Sequence, residues 1–231
     1  MNETVDRIRV FGERSDSVER IAPGYFHRTF EAEHLARYKW ASRWVRNRSV
    51  LDVACGTGYG VTVLRAAGAK KVLSVDVSRD ALRFGYQRYC LAAACSDAHK
   101  LPVATEACEA VVSLETIEHL QDPTTFIREL CRVLPTGGHL LLSTPNAARS
   151  SGQNPYHLWE GTLGELRVML ENEGLGLHGV WGQHWGLRPG IWHKIKGLRR
   201  ILWELERRPT VSRGIRSLLQ PIYWCLWAVK S

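Results

Sequence analysis

A chain of 231 residues that is 45% hydrophobic and 23% charged has room for one α/β domain, or one domain with a small cap. Its six cysteines form no C-x-x-C pair and no apolar run nears the roughly 20 residues of a membrane-spanning helix, which argues against a thiolate zinc site and a helical span. The net charge of +8 falls wholly in residues 188–231, where ten basic residues face only Glu204 and Glu206; residues 1–187 carry 21 of each sign. That asymmetry points to an anionic partner near the basic segment.

The opening "MNETVDRIRVFGERSD" has no apolar core, so no secretory signal is expected, and scattered reduced cysteines suit a cytoplasmic protein. Residues 1–48 form an expected N-terminal segment: a polar lead, then a helical lid in "FEAEHLARYKWASRWVRN" with Leu35, Trp40, Trp44 and Val45 on one face. From Ser49 to the end, 49–231, strand and helix patterns alternate as in a parallel sheet. "SVLDV", "KKVLSVD", the start of "LAAACSDAHKLP", "EAVVSLE", "GGHLLLSTPN" and "LGLHGVWG" read as six strands. The helices between them start near Ser78 or Asp80, near Pro123, and at Thr162. "PIYWCLWAVKS" reads as a seventh strand that partners the sixth, or as an interfacial anchor with Tyr223, Trp224 and Trp227 beside basic residues. Residues 188–221 then form a basic helical insertion before the last strand. The expected fold class is α/β: a Rossmann-like, doubly wound, mostly parallel seven-stranded sheet with helices on both faces.

Acidic residues recur at strand ends as Asp52, Asp76 and Asp97, where open α/β sheets bind ligands. Asp76 follows the glycine loop "CGTGYG" by the distance at which an acid reaches a ribose hydroxyl. The loop is G-x-G-x-G, not the dinucleotide G-x-G-x-x-G, and Asp52 before it would repel a pyrophosphate. The same carboxylate suits a ligand bearing an amine, and Asp97 with Ala98 suits an adenine edge. In order, "VLDVACGTGYG", "VLSVDVS", "SDAHKLP", "AVVSLETIEHL" and "RVLPTGGHLLLSTPN" resemble the motifs of class I S-adenosylmethionine-dependent methyltransferases, over residues 49–183. The resemblance implies S-adenosylmethionine as cofactor, with Gly56 and Gly58 under its methionine part, Asp76 on the ribose and Asp97 on the adenine amine. Asp52, Val77, Ala98 and Leu114 complete the implied cofactor set.

Beyond the fourth strand, "SLETIEHLQDP" offers acceptor chemistry. If Glu115 opens a helical turn, Glu118 and His119 follow at i+3 and i+4 on one face. Two carboxylates and an imidazole there can act as base and partner or hold Mg²⁺ or Mn²⁺. They can equally cap a helix, face solvent or pack. The loop "NPYHLWEGTLGEL" adds His157. With "FGERSD" and "EHLARY", this loop resembles bacterial sugar and polysaccharide O-methyltransferases. A second likeness is to terminal 2′-O-methyltransferases of small RNAs, and it implies Glu115, Glu118, His119 and His157 as metal ligands that acidify adjacent hydroxyls. His119, Glu118 and His157 are the expected catalytic residues. His184, Trp159, Trp181 and Trp185 either line the pocket or pack.

The function expected is O-methylation of a sugar hydroxyl on a glycan, glycolipid or glycosylated natural product, with a small-molecule or glycan acceptor that is anionic. Alternatives are a quinone or lipid-phenol O-methyltransferase in peripheral contact with a membrane, an RNA ribose 2′-O-methyltransferase, and a binding protein that retains only the cofactor pocket. The neutral body weighs against nucleic acid, and no protein partner is inferred.

Overall fold

The structure, a computed structural model, describes residues 28–150, 152–183 and 221–231. Helix α1 spans Arg28–Ala41, followed by a short 3₁₀ turn, Ser42–Trp44. Strands β1 (Ser49–Val53), β2 (Lys71–Asp76), β3 (Ala93–Cys95), β4 (Ala110–Leu114), β5 (His139–Pro145), β6 (Leu175–Gln183) and β7 (Tyr223–Lys230) form one sheet in the order β3-β2-β1-β4-β5-β7-β6. Helices α2 (Gly60–Ala66), α3 (Arg79–Tyr89), α4 (Pro123–Val133) and α5 (Leu163–Asn172) connect the strands. All pairings are parallel except those of β7 with β5 and β6. The seven-stranded, doubly wound architecture expected from the sequence is therefore present.

Strands buried on both faces read as continuous apolar runs, and β1, β4 and β5 do. Alternate residues feed two cores. Leu51, Val53, Val111, Leu140 and Leu142 meet Phe126, Ile127 and Leu130 of α4 and Leu166 and Leu170 of α5. On the other face, Val50, Val112 and Leu141 meet Tyr38, Trp40 and Ala41 of α1, Leu64 of α2 and Leu82 of α3. The described part of the N-terminal segment, 28–48, thus packs into this second layer through Tyr38, Trp40, Ala41 and Val45.

Caps set the helix starts. The Ser78 hydroxyl accepts from Ala81 N, and Asp122 accepts from Thr125 N ahead of Pro123. Thr162 and Glu165 form a reciprocal capping box. Of the two readings of the C-terminal stretch, the strand is the one the structure contains: β7 lies between β5 and β6. The basic segment 188–220, His184 and Trp185 lie outside the described residues. Among the described residues no helix is long and apolar enough to cross a membrane.

Candidate active site

The sheet order reverses direction between β1 and β4, so the crevice beyond the carboxyl ends of these two strands is the topological switch point. Two non-glycine residues there have left-handed backbone: Ala54 (φ 57°) just after β1 and Glu115 (φ 54°) just after β4. Such conformations cost energy and persist where the surroundings fix them, characteristically at binding sites.

On the β1 side, Asp52 is fully buried and accepts a hydrogen bond from the Tyr38 hydroxyl (3.1 Å to Oδ1). Burial pushes its carboxyl up to about 7, against the lowering effect of Tyr38. The glycines that follow have separate reasons to be glycine. Gly56 (φ +55°) faces open space, where a Cβ would meet nothing. Gly58 (φ +78°) presses on Leu91, and Gly60 on the Tyr38 ring; a Cβ at either would collide. Gly56 is thus the position where the loop lies open, while the missing side chain at Gly58 is also required by packing on Leu91. Asp76, at the end of β2, accepts from Gly56 N and from Ser78 N, each at 2.8 Å, which ties the loop to the next strand. Val77 beside it is 66% exposed, an apolar side chain left open at the strand end. Asp97 accepts from the backbone N–H and ring of His99, which hold its carboxyl below the usual range. Ala98 packs on the core edge, and Leu114 is buried at the end of β4. An open glycine turn flanked by Asp52, Asp76 and an exposed apolar residue fits a ligand with an amine, a ribose diol and a base.

On the β4 side the local structure differs from the expected helical turn. Glu115 sits in left-handed backbone, and the chain then makes a 3₁₀ turn over Ile117–His119. The Glu115 carboxylate accepts from the Ser143 hydroxyl (2.6 Å) and pairs with Arg37 (Nε to Oε1, 3.7 Å). Glu118, 1% exposed, accepts from the Thr144 hydroxyl at 3.0 Å. Burial pushes its carboxyl well up, and the Glu115 charge adds to the effect. The Glu118 backbone carbonyl receives the N–H groups of Leu158 (2.7 Å) and Trp159 (3.0 Å), so the loop bearing His157 docks on this turn. The His119 and His157 rings meet edge to face with centroids 5.1 Å apart. Among the described residues, Glu118, His119 and His157 each offer a ligand atom within 4.8 Å of the others. Three of the four residues expected as ligands are thus brought together, while the fourth, Glu115, contacts Arg37 and Ser143.

Sequence reasoning did not single out Arg37 or Tyr38. Arg37 is fully buried, donates to Gln183 Oε1 (2.6 Å) and lies 4.5 Å over the Tyr223 ring. Their signal was weak, as adjacent polar residues in a helix whose apolar and polar residues are little separated onto opposite faces. Trp159 packs against the core, and Trp181 lies among Trp40 and Trp44, so both take the packing role.

Residues 51–142 match the model of a family described as a methyltransferase domain. A Mycolicibacterium smegmatis protein named a probable S-adenosylmethionine-dependent methyltransferase is 30% identical over 171 residues, which are 71% of this chain and 66% of that one. A tRNA U34 carboxymethyltransferase of Shewanella is 33% identical over 123 residues, 46% of this chain and 37% of the relative. The chain thus spans between about a third and two thirds of the length of these relatives. In shape it is similar to an S-adenosylmethionine-dependent methyltransferase from Mesorhizobium loti, with a TM-score of 0.60 at 17% identity, over 84% of this chain and 98% of that one. The family match covers β1 to β5, the strands whose carboxyl ends build the crevice, and the chain carries a methyltransferase domain of the S-adenosylmethionine-dependent class.

Proposed function

We propose that this protein is an O-methyltransferase whose acceptor is a sugar hydroxyl, with Glu118, His119 and His157 as the acceptor-side machinery. The observation that carries the reading is the convergence of those three side chains beyond β4, across the switch point from the glycine turn. S-adenosylmethionine, when bound, supplies an electrophilic methyl group. Asp76 holds the ribose hydroxyls, Asp52 the ammonium, and Asp97 with Ala98, Val77 and Leu114 the adenine side.

A neutral hydroxyl is a poor nucleophile, so the chain's own task is to orient it and remove its proton as the new bond forms. His119 takes that proton. Its Nδ1 lies 3.0 Å from the Tyr156 carbonyl, which leaves the basic lone pair on Nε2. Tyr156 and Leu158, both exposed, flank His157 and offer apolar surface to a sugar face.

The test supplies labelled methyl donor with a panel of oligosaccharides and glycolipids. Alkali-stable label on a hydroxyl that becomes resistant to periodate supports the reading; label found only as an alkali-labile ester or on nitrogen overturns it. A second reading, RNA as acceptor, is favoured by the tRNA-modifying relative and by the basic composition of 188–231. Label on a ribose 2′-hydroxyl, with retention of RNA that falls steeply with salt, would select it.

A further inference from the structure

We infer that the free edge of β3, with the face of α3 beside it, is a docking site for an acidic, extended segment of another protein, which adds to the sheet as a further strand. This edge lies at the opposite end of the sheet from β6 and shares no residue with the acceptor side.

The outer strand of a sheet leaves a row of backbone groups unpaired, and proteins blunt such an edge with a bulge, a proline or a charged side chain. The β6 edge carries a register shift between Leu177 and Gly179. The β3 edge has none of these devices: it consists of Ala93, Ala94 and Cys95, all exposed. Ser74 N–H donates to the Ala92 carbonyl and Ser96 N–H to the Asp76 carbonyl, so residues 92, 94 and 96 face β2. Ala93 and Cys95 therefore turn their N–H and C=O groups outward, and these groups have no partner among the described residues. The Cys95 thiol donates to the Val77 carbonyl (3.3 Å), which ties the end of the edge to the chain after β2. An incoming strand thus meets donors and acceptors already held in register. The shortness of β3 limits that strand to a short segment.

The side chains beside the edge select its chemistry. Ala93 and Cys95 line a groove of about 380 Å³ with Leu91 and with Arg79, Leu82, Arg83 and Tyr86 of α3. Leu82 and Leu91 are buried and form an apolar floor, and Tyr86 stands exposed at its side. Arg128, Arg132 and Arg167 each pair with a glutamate, whereas the Arg79 and Arg83 side chains have no partner among the described residues. No acid lines the groove. Arg79 and Arg83 are four residues apart, about 6 Å along the axis of α3. Alternate side chains of an extended strand project to one face about 6.6 Å apart. Glutamates at alternate positions therefore reach both guanidinium groups and lay their aliphatic stems over Leu82 and Leu91. A second copy of this chain fits poorly, since β3 against β3 brings the arginines of both copies together with no acid between them. A nucleic acid strand meets the arginines but leaves the outward groups of Ala93 and Cys95 without a ladder.

The experiment adds an eight-residue peptide of alternating glutamate and threonine to the ¹⁵N-labelled full chain at low salt and follows the backbone amide resonances. The Ala93 and Cys95 amides should shift and gain protection from hydrogen exchange, with Ala94 moving less. Arg79→Ala with Arg83→Ala in the same chain should weaken the peptide by about tenfold and leave the melting temperature unchanged. Only alternate amides of an added strand face β3. Of two peptides, one N-methylated at every glutamate and one at every threonine, one should therefore lose binding while the other keeps it. Equal binding by both would mean charge attraction without an added strand, and would overturn the inference. A lysine–threonine peptide that binds as well as the acidic one would overturn it too, as would unmoved β3 amides at millimolar peptide. Single-stranded RNA that shifts these amides more strongly than the peptide does would make a nucleic acid the occupant in place of a protein.

Discussion

Asp52 is where the electrostatics of the crevice can be read in solution. Its folded pKa of about 7 lies above the ordinary 3.8, so between roughly pH 4 and 7 the folded state binds more protons than the unfolded chain. The contribution of Asp52 to stability therefore falls as pH rises through that window. A cofactor ammonium reverses the preference, because it favours the ionised carboxylate. S-adenosylhomocysteine should bind with release of a proton below pH 7, its affinity rising by up to about tenfold per pH unit toward 7 and then levelling. Calorimetry across pH in two buffers of different ionisation enthalpy measures both effects. Asp52→Asn should flatten the profile; a wild-type affinity independent of pH would remove the ammonium from Asp52. The glycines make a second residue-scale contrast. Gly58→Ala forces both a left-handed alanine and a collision with Leu91, and should cost about 1–3 kcal/mol in a urea melt. Gly56→Ala carries the same left-handed strain but meets no protein atom, and in the proposed site its Cβ would intrude on the cofactor's space. It should weaken S-adenosylhomocysteine more than it destabilises the fold, the reverse of Gly58→Ala.

At the scale of elements, α1 links the two halves of the crevice. Tyr38 reaches Asp52, and its neighbour Arg37 reaches Glu115 and Gln183, so one helix touches the ends of β1, β4 and β6. Breaking a buried ion pair strands the remaining charge, and Arg37→Ala should cost about 3–5 kcal/mol, seen as a lower urea midpoint. Arg37→Met, with Glu115→Gln in the same chain, should recover most of that loss, since neither charge is then left alone. This helix also shows where sequence reading ran out. Apolar periodicity selects Leu35, Trp40, Trp44 and Val45, yet Leu35 is only half-buried while Glu33 and Arg37 are fully covered. A pattern rule assumes that the buried face is the apolar one, and it fails where a helix turns charged residues toward a site. Thr162 with Glu165 was legible because a capping box is local in sequence. The left-handed Glu115 was not, because its conformation is set by Ser143 and Arg37 from distant strands.

For the molecule as a whole, the sheet order assigns the last strand a task that the order of the sequence conceals. β5 and β6 never pair; β7 joins them, with Leu226 opposite Leu142 on one side and Val180 on the other. The apolar run "YWCLWAVK" read either as a strand partnering the sixth or as an interfacial anchor, and its place between two earlier strands depends on long-range pairing that no local pattern encodes. Among the described residues beyond β5, β6 meets the central sheet through that strand, while α5 packs on the shared core through Leu166 and Leu170. Leu226 is buried in the same core as Leu142, Leu166 and Leu170. Leu226→Ala should therefore cost about 2–5 kcal/mol of stability, measured by urea unfolding. The proposed cofactor groups Asp52, Gly56, Asp76 and Asp97, by contrast, sit at the carboxyl ends of β1 and β2 and in the loops after β1 and β3, on the opposite side of β4 from β7. S-adenosylhomocysteine affinity in the fully folded variant should change by less than about twofold, as expected for sites without shared partners. Hydrogen exchange should show which amides loosen: those of β6, β7 and α5 first, with β1 and β2 still protected. Uniform loosening across all seven strands would mean that the two halves of the sheet unfold as one unit, and that the cofactor half depends on β7 as much as β6 does.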